Sequence, residues 1–338
     1  MANVRLDRVI SAAEYSQFAA GYLASLVSLP EPTLALSVMV RDKQAMKTRV
    51  REAGIPCARQ QSLTRENALE SLTSALESLG RPVVVKPRAG QGTVDTWTVH
   101  DPAVGLELMK SAPAGTEMLA EEYISGAEYY VDAVWLDGEP RVFGIGRYIV
   151  PLIEVTNPGH RNGGVLLRPD DHQAEYAELE QLSRRVNDAL GIRTAITHAE
   201  YFRTNDGLWI FSEIATRPGG GGTAAVFAHL GADLRQVWAR TIVHPEEPVP
   251  RLSSPSTAYL GSVHLAPAVT GTVAQGPDEN QLRAIPWVVD VSPGPRAGDR
   301  VTQTHSAAWS WIVYLEADSF EEFQERSEAV ESIGGSSQ

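Results

Sequence analysis

The segment HAEYFRTNDGLWIFSEIATRPGGGG, residues 198–222, carries the pattern that decides the fold. Two runs of β-forming residues flank an Asn-Asp-Gly turn at 205–207, which is typical of a β-hairpin. Glu200 lies about six residues before this turn and Glu213 about six after it, so antiparallel pairing predicts that they are neighbours. Like charges directly opposite repel. The pair therefore predicts a cation between the strands, and Mg²⁺ is favoured because it prefers carboxylate oxygens.

The same segment ends on Arg217, Pro218 and four glycines at 219–222. An arginine beside a flexible glycine run can stabilise a phosphoryl group or a tetrahedral anion. The glycines alone are equally compatible with an ordinary loop.

Upstream, the stretch PVVVKPRAGQGT (82–93) predicts a short apolar strand that carries Lys86 and leads into a glycine loop. A lysine at the end of such a strand is well placed to contact phosphate oxygens, and the loop amides can cradle an anion. The loop matches neither the Walker nor the dinucleotide fingerprint. A lysine that snorkels from a strand edge, and a simple hairpin, remain the alternatives.

Two further stretches carry charge in a regular pattern. Lys43 and Lys47 lie one turn apart on a predicted helix that Asp42 would cap, although a solvated basic face has the same spacing. Glu121 and Glu122 lie on a predicted strand, where adjacent side chains point to opposite faces, so only one can serve a given site. The backbone of this strand could read an adenine ring; a solvated edge strand is the alternative.

Composition limits the class of protein. The chain has 338 residues, 43% of them hydrophobic, which predicts two or three packed modules and excludes a mainly disordered protein. A net charge of -13, from 29 basic and 42 acidic residues, argues against nucleic-acid binding. One cysteine excludes a disulfide framework and a multi-cysteine metal site. No apolar run or leader pattern is visible, so we expect a cytoplasmic protein without a membrane partner.

Helical and strand patterns alternate along the chain and favour an α+β architecture. The predicted helices cover 13–27, 43–53, 173–190, 231–243, 278–283 and 319–333. The predicted strands cover 4–10, 82–87, 93–99, 117–123, 128–136, 140–149, 196–203, 207–214, 258–266, 269–274, 286–292 and 309–316.

The first helix has one apolar face with Tyr15, Ala19, Tyr22 and Leu26. An isolated strand and helix cannot form a core, so we expect this segment to dock elsewhere, first of all on the module at 250–333. If Phe18 and the apolar face stay exposed, self-association follows, and we predict a homodimer.

Taken in order, five stretches resemble the ATP-grasp superfamily: RDKQAMK (41–47), PVVVKPRAGQGT (82–93), LAEEYISGAEYYVD (119–132), HAEYF (198–202) and SEIATRPGGGG (212–222). The chain is most similar to the carboxylate–amine ligase branch, which includes bacterial L-amino acid ligases. The resemblance implies two α+β subdomains that clasp ATP. It implies these boundaries: 1–40, the remainder of an N-terminal α/β domain; 41–115, the small subdomain; 116–250, the large subdomain; 251–338, a C-terminal α+β module.

The resemblance also implies roles for the nucleotide site. Lys47 and Lys86 would hold the ATP phosphates, Glu121 would meet the adenine amine, and Glu128 would hold the ribose hydroxyls. The phosphate loop and the lining of the base would be formed by Gly90, Gly92 and Thr93, and by Glu122, Tyr123 and Ile124.

For the reaction centre, the resemblance implies that Glu200 and Glu213 hold Mg²⁺ or Mn²⁺. Arg217, with Lys86, would act on the acyl phosphate, and His160 and Gly220 would lie near the substrate. Many relatives carry Asn two residues after the second metal glutamate, whereas this chain has Ala215.

The implied function is an ATP-dependent ligase that joins a carboxylate, expected to be an amino acid, to an amine through an acyl phosphate. ADP and phosphate would be released. Another ATP-grasp chemistry, such as a kinase or a carboxylase-like enzyme, and a non-catalytic nucleotide-binding partner protein are the alternatives.

Overall fold

The computed structural model describes residues 6–29, 31–155, 162–220, 222–249, 259–265, 270–301, 305–308 and 310–335. The helices in these ranges are α1 (Gln17–Leu26), α2 (Leu34–Met39), α3 (Lys43–Glu52), α4 (Ala68–Ser78), α5 (Pro102–Ser111), α6 (Gln173–Leu190), α7 (Thr223–His229), α8 (Leu234–Val243), α9 (Glu279–Arg283) and α10 (Phe320–Gly335). Among the described residues, no helix combines the length and apolar character needed to cross a bilayer.

The strands are β1 (Gln60–Leu63), β2 (Val83–Pro87), β3 (Trp97–Val99), β4 (Met118–Glu122), β5 (Gly126–Leu136), β6 (Glu139–Tyr148), β7 (Asn162–Leu166), β8 (Ala195–Thr204), β9 (Trp209–Ala215), β10 (Tyr259–Leu265), β11 (Gly271–Thr272), β12 (Val288–Ser292), β13 (Arg300–Val301) and β14 (Trp311–Ala317).

A small antiparallel sheet has the strand order β1-β4-β2-β3. On β2, Val83 and Val85 point into the core formed with α4 and α5. Since successive strand residues alternate between faces, Val84 and Lys86 point the other way and line a cavity. The outward alternative for Lys86 is therefore wrong: its side chain is buried.

A larger antiparallel sheet has the order β12-β14-β10-β7-β6-β5-β8-β9 and packs against α6, α8 and α10. Its β8–β9 ladder pairs Glu200 with Glu213, as the turn at 205–207 predicts. The C-terminal strands β10, β12 and β14 continue this sheet, and β4 pairs within the small sheet. The boundaries at 115/116 and 250/251 stay predictions.

The N-terminal segment differs from expectation. The predicted strand at 4–10 is wrong for residues 6–10, which form no strand, and residues 4 and 5 lie outside the described residues. The buried face of α1 is not the predicted apolar one. That face consists of Gln17, Ala20, Gly21 and Ala24. It packs on α2 at close range, because a Cβ on Gly21 would lie 2.1 Å from the Ser37 hydroxyl.

The docking site of α1 also corrects the expectation. Gln17 donates to the carbonyl of Thr216 at 2.8 Å, so α1 sits beside the loop that follows β9 and not on the module at 250–333. The large apolar side chains of α1 and of the 3₁₀ turn before it, Glu14–Ser16, remain exposed, with Leu26 at 63% and Tyr15 at 79%. Long apolar side chains would have kept α1 and α2 apart, and the small residues permit the contact.

Several predicted elements are shorter than expected. The strand at 93–99 is reduced to β3, because 92–95 form a turn with positive φ at Gly92, Thr93 and Asp95. The helix at 231–243 begins at Leu234, where the Asp233 side chain accepts from two backbone amides of its first turn. Of the strand at 269–274, the described residues form only β11.

Some elements were not predicted. These are the helices α2, α4, α5 and α7 and the strands β1, β7 and β13.

Candidate active site

A cavity of about 430 Å³ opens between the two sheets. It is lined by the candidate residues Lys47, Lys86, Gly90, Gly92, Thr93, Glu121, Glu122, Tyr123, Ile124, Glu128, Glu200, Glu213, Arg217 and Gly220. His160 lies outside the described residues. The tertiary structure thus brings together side chains that are spread over about 170 residues of sequence, although their individual roles stay predictions.

Lys47 on α3 and Lys86 on β2 share the Glu121 carboxylate. Their Nζ atoms lie 2.6 and 2.7 Å from Glu121 Oε2, and all three side chains are buried. Burial alone would raise the pKa of Glu121, but the two lysines outweigh it and lower that pKa. For Lys47 the effect of burial is larger than the attraction of Glu121, and the pKa is lowered. For Lys86 burial also acts to lower the pKa, but Glu121 and Glu213 outweigh it and the pKa is raised.

The second oxygen of Glu121, Oε1, is buried and accepts no hydrogen bond from the described residues. Leaving a buried acceptor without a donor is costly. An amine of a bound ligand would satisfy it, so the site fits the predicted contact with an adenine amine.

Glu213 faces the lysines from β9. Its Oε2 lies 3.2 Å from Lys43 Nζ and 3.9 Å from Lys86 Nζ. Burial acts to raise the pKa of Glu213, but Lys43 and Lys86 lower it to about 2. The carboxylate is therefore ionised at neutral pH. Lys43 belongs to the site through the face that it shares with Lys47, and the solvated basic face is ruled out by their burial.

Glu200 is held from behind by a buried network. His198 Nδ1 lies 3.1 Å from Asp132 Oδ1, and His198 Nε2 lies 3.4 Å from Glu200 Oε1. The Tyr148 hydroxyl donates to Glu200 at 3.4 Å. Burial lowers the pKa of His198, but Asp132 and Glu200 raise it to about 9, so the ring is cationic at neutral pH.

This network also explains one glycine of the run at 219–222. The amide of Gly219 donates to Asp132 at 2.9 Å. A Cβ at Gly219 would lie 2.8 Å from His198 and 2.2 Å from the Thr223 hydroxyl, so no side chain fits. At Gly220 a Cβ would meet nothing within 4 Å, and the wall of the cavity is open there.

The predicted ribose residue, Glu128, accepts from the amide of Leu152 at 2.6 Å. Burial, aided by Glu200, raises the pKa of Glu128 well above its usual value. Beside it, the Tyr123 hydroxyl donates to Glu154 at 3.0 Å, which ties the β4–β5 connection to the segment after β6.

The glycine loop closes over the cavity. Lys43 Nζ donates to the carbonyl of Gly90 at 3.0 Å. The Thr93 hydroxyl accepts from the amide of Ser306 at 3.1 Å, and a Cβ at Gly92 would lie 2.5 Å from Ala307. The loop is thus fastened at one end to α3 and at the other to residues near the C-terminal strand β14.

Arg217 points into the cavity and pairs with Glu14, the first residue of the 3₁₀ turn Glu14–Ser16. Glu14 also pairs with Arg41. Sequence reasoning missed Glu14, Arg41 and the His198 network. Only His198 left a signal, because His198 and Glu200 stand two apart on a strand and share a face.

Among the described residues no three His, Cys, Asp or Glu side chains form a group suited to hold a metal ion. Glu200 and Glu213 are paired across neighbouring strands, so both supply carboxylate oxygens to one region of the sheet. Mg²⁺ usually takes one or two carboxylates and completes its shell with waters and substrate phosphates. The donor set therefore fits a metal that arrives with a phosphate ligand.

Comparison with known proteins agrees with this geometry. Residues 79–225 match the family described as ATP-grasp domain. The chain is 32% identical over 226 residues to an L-arginine-specific L-amino acid ligase of Bacillus subtilis, covering 64% of this chain and 52% of that protein. The chain spans about half the length of the curated relatives it matches.

Solved structures share the fold. An L-amino acid ligase from Bacillus licheniformis superposes with a TM-score of 0.75 at 18% identity, over 97% of this chain and 79% of that one. A carboxyaminoimidazole ribonucleotide synthase of Aspergillus clavatus, solved with ATP, gives 0.69 at 17% identity, over 95% of this chain and 80% of that one. These findings confirm the predicted α+β ATP-grasp fold and the resemblance to amino acid ligases.

Proposed function

We propose that this chain, which carries an ATP-grasp domain, is an ATP-dependent carboxylate–amine ligase that forms an amide or dipeptide bond. The observation that carries the proposal is the cavity between the sheets. Three buried lysines on one wall face the Glu200–Glu213 pair on the other, with Arg217 at the edge. Cations suited to phosphate oxygens and carboxylates suited to a divalent ion are the requirements of phosphoryl transfer.

The residues fit a nucleotide with its metal. Glu121 Oε1 has no hydrogen-bond donor among the described residues. Lys47 and Lys86 would hold phosphate oxygens, and Glu200 and Glu213 would hold Mg²⁺ or Mn²⁺. When bound, the metal would neutralise phosphate charge and polarise the transferred group. Glu128 would accept from a ribose hydroxyl through the oxygen not engaged by Leu152.

A carboxylate is a poor acyl donor. Transfer of the terminal phosphoryl group of ATP to the carboxylate oxygen gives an acyl phosphate and ADP. The amine then attacks the acyl carbon; the C–N bond forms, the C–O bond to phosphate breaks, and the nitrogen loses a proton. Arg217 would stabilise the charge on the acyl oxygens. The glycine loop, fastened at Thr93, would keep water from the acyl phosphate.

An amino acid is the proposed carboxylate, because two proteins to which the chain is similar, one in sequence and one in structure, are L-amino acid ligases. L-Arginine is the first candidate to test, since it is named for the relative at 32% identity. The amine is also sought among amino acids, which would make the product a dipeptide.

The experiment is a screen of amino-acid pairs with ATP and Mg²⁺ that records both phosphate release and product mass. We expect phosphate release that depends on both amino acids, together with a product of the mass of the pair less one water. Glu213→Gln is the negative control, and Glu325→Gln, an exposed carboxylate on α10, is the matched control.

Other outcomes identify the alternatives. A stable phosphorylated product without an amide would indicate a kinase. Phosphate release that depends on bicarbonate would indicate a carboxylase-like enzyme, and ATP binding without any turnover would indicate a nucleotide-binding protein.

The homodimer stays a prediction. In the described chain, the outward face of α1 exposes Phe18, Tyr22 and Leu26, and the 3₁₀ turn before it exposes Tyr15. Apolar patches of this kind favour association. Light scattering at micromolar protein tests it; a particle of 36.7 kDa with full activity would contradict it.

A further inference from the structure

The carboxylate of Glu14, which lines the cavity, is held between two arginines. Its Oε2 accepts from Arg217 Nε, and its Oε1 contacts Arg41 Nη1. The three side chains are largely buried, Glu14 to 90% and the arginines to about 80%. Each carboxylate oxygen therefore has its own guanidinium, the arrangement by which proteins bind a carboxylate from outside.

Two guanidinium groups in one partly buried place require an anion. Burial and the neighbouring charge of Arg217 both lower the pKa of Arg41, which means that the pair is unfavourable by itself. Glu14 supplies the compensating charge. Any carboxylate with two free oxygens could replace Glu14 without changing the charge of the site.

Arg217 lines the cavity of the reaction centre, and Arg41 is linked to it through Glu14. Arg217 and Glu14 line the same cavity as Glu213 and the lysines. Arg41 lies close enough to Glu213 for that carboxylate to act on its pKa. A carboxylate bound by the two arginines would therefore lie next to the phosphate end of the proposed nucleotide site.

The 3₁₀ turn Glu14–Ser16 that carries Glu14 has no buried residue. Gln17 bonds to Thr216, and the Tyr15 hydroxyl accepts from the Gln91 side chain of the glycine loop at 2.6 Å. Residues 6–12 lack regular structure, and the outer face of α1 is exposed. Few buried apolar contacts are typical of segments that open at low cost.

We propose that Arg41 and Arg217 together bind the substrate carboxylate, and that Glu14 is an intramolecular carboxylate which occupies this site until the substrate displaces it. The inference rests on the proposed ligase function and specifies its acid-binding site. Glu14 competes with the substrate, so its removal strengthens binding of the acid, whereas removal of Arg41 weakens it.

The test compares Glu14→Gln with Glu66→Gln, an exposed carboxylate control in the loop before α4. With the acid that gives the most phosphate release, Glu14→Gln lowers KM for that acid about tenfold while kcat and KM for ATP stay within about twofold. Glu66→Gln behaves as the wild type. A merely structural Glu14 predicts the opposite, a lower kcat with no gain in acid affinity, and that result would overturn the proposal.

Arg41→Gln supplies a second, independent variant. It raises KM for the acid about tenfold or more and leaves KM for ATP unchanged. In the double variant Glu14→Gln/Arg41→Gln the gain from Glu14→Gln disappears, because the competing carboxylate and its partner act at one site. Additive effects in this cycle would contradict a shared site. Thermal unfolding of each variant excludes loss of fold as the cause.

The outcomes separate this inference from the proposed function. Turnover with equal acid KM in wild type and Glu14→Gln keeps the ligase function and overturns the role of Glu14. Activity that appears only in Glu14→Gln supports both. If calorimetry detects no binding of any of the twenty amino acids to either protein with ATP and Mg²⁺ present, both are wrong.

Discussion

The two walls of the cavity carry opposite charge and differ in how that charge is neutralised. The wall formed by α3 and the small sheet presents Lys43, Lys47 and Lys86, and each lysine lies within ion-pair distance of a carboxylate. The wall formed by the large sheet presents Glu128, Glu200 and Glu213. Among the described residues only Glu213 of these three reaches a lysine.

Two glutamates of this second wall therefore shift in opposite directions. Lysines lower the pKa of Glu213 to about 2, whereas burial raises the pKa of Glu128 well above its usual value. Both residues are glutamates in the same cavity, so the distance to the lysines decides whether the pKa is raised or lowered. Every lysine of the first wall has a carboxylate partner, whereas Glu128 and Glu200 of the second wall lie within ion-pair distance of no lysine among the described residues. We therefore expect the second wall to depend on a metal.

The sharpest test of this difference is Glu213→Gln. The amide is a much weaker ligand for Mg²⁺ than a carboxylate, so we expect turnover to fall about 10²–10³-fold while the fold is retained. Phosphate release in the amino-acid screen measures the loss, and Glu325→Gln should have none. In the wild type, chelation of Mg²⁺ should abolish activity. A wild-type rate that is insensitive to Mg²⁺ from zero upward would show that neither Glu200 nor Glu213 holds a metal.

Glu200→Gln tests the same wall at the position supported by His198. We expect a loss in the same direction but smaller, because Tyr148 and His198 can still hold the amide in place. The rate at saturating Mg²⁺ measures it. A larger loss than in Glu213→Gln would reverse the order of importance of the two carboxylates.

On the cationic wall, Lys86→Ala should weaken ATP binding. A buried charge-assisted contact contributes roughly 1.5–3 kcal/mol, so affinity should fall about 10- to 150-fold by calorimetry. Stability should change less, since Lys47 remains to neutralise Glu121. The control is Lys110→Ala, an exposed lysine on α5. Unchanged ATP affinity would remove Lys86 from the nucleotide site, and an unfolded variant would show that Lys86 is structural.

The two walls meet where the glycine loop reaches Ser306, and Thr93→Val tests that junction. The variant loses two hydrogen bonds, one that the Thr93 hydroxyl accepts from the Ser306 amide and one that it donates to the Ser306 hydroxyl. One such bond contributes about 1 kcal/mol, so KM for ATP should rise about 5- to 30-fold. Thr98→Val, at an exposed position of β3, is the control. A KM equal to that of the wild type would mean that the loop closes without these bonds.

The smallest effect is expected from Asp42→Asn at the start of α3. Burial acts to raise the pKa of Asp42, but Arg88 and the amides of Ala45 and Gln44 lower it. A lowered pKa stabilises the fold above the unfolded value of about 3.8–3.9, and the gain is lost as the pH falls through the folded value. Asparagine keeps the helix cap.

At neutral pH, the loss of the charge in Asp42→Asn should therefore cost at most about 1 kcal/mol in a partly exposed pair. Denaturant unfolding at pH 7 and at pH 3 measures the difference, which should shrink at the lower pH. A difference that grows on acidification would contradict the assigned sign.

The sequence by itself determined the features whose causes are local. The turn at 205–207 aligns Glu200 with Glu213, because strand register follows from the turn. Alternation along 82–87 directs Lys86 away from the core, and a polar side chain before the helix identifies Asp42 as its cap. The order of these motifs along the chain resembles that of the ATP-grasp superfamily, and this resemblance predicted the fold.

Only the tertiary structure decided contacts between distant parts of the chain. Glu14 meets Arg217 across 203 residues, and Thr93 meets Ser306 across 213. The periodicity of α1 shows two faces but does not show which of them is buried. The face with Gly21 is buried because this residue has no side chain and α2 can therefore approach closely. A local sequence pattern indicates the conformation that a segment prefers. The other segments that it contacts depend on the shape and charge of surfaces that form only when the chain folds.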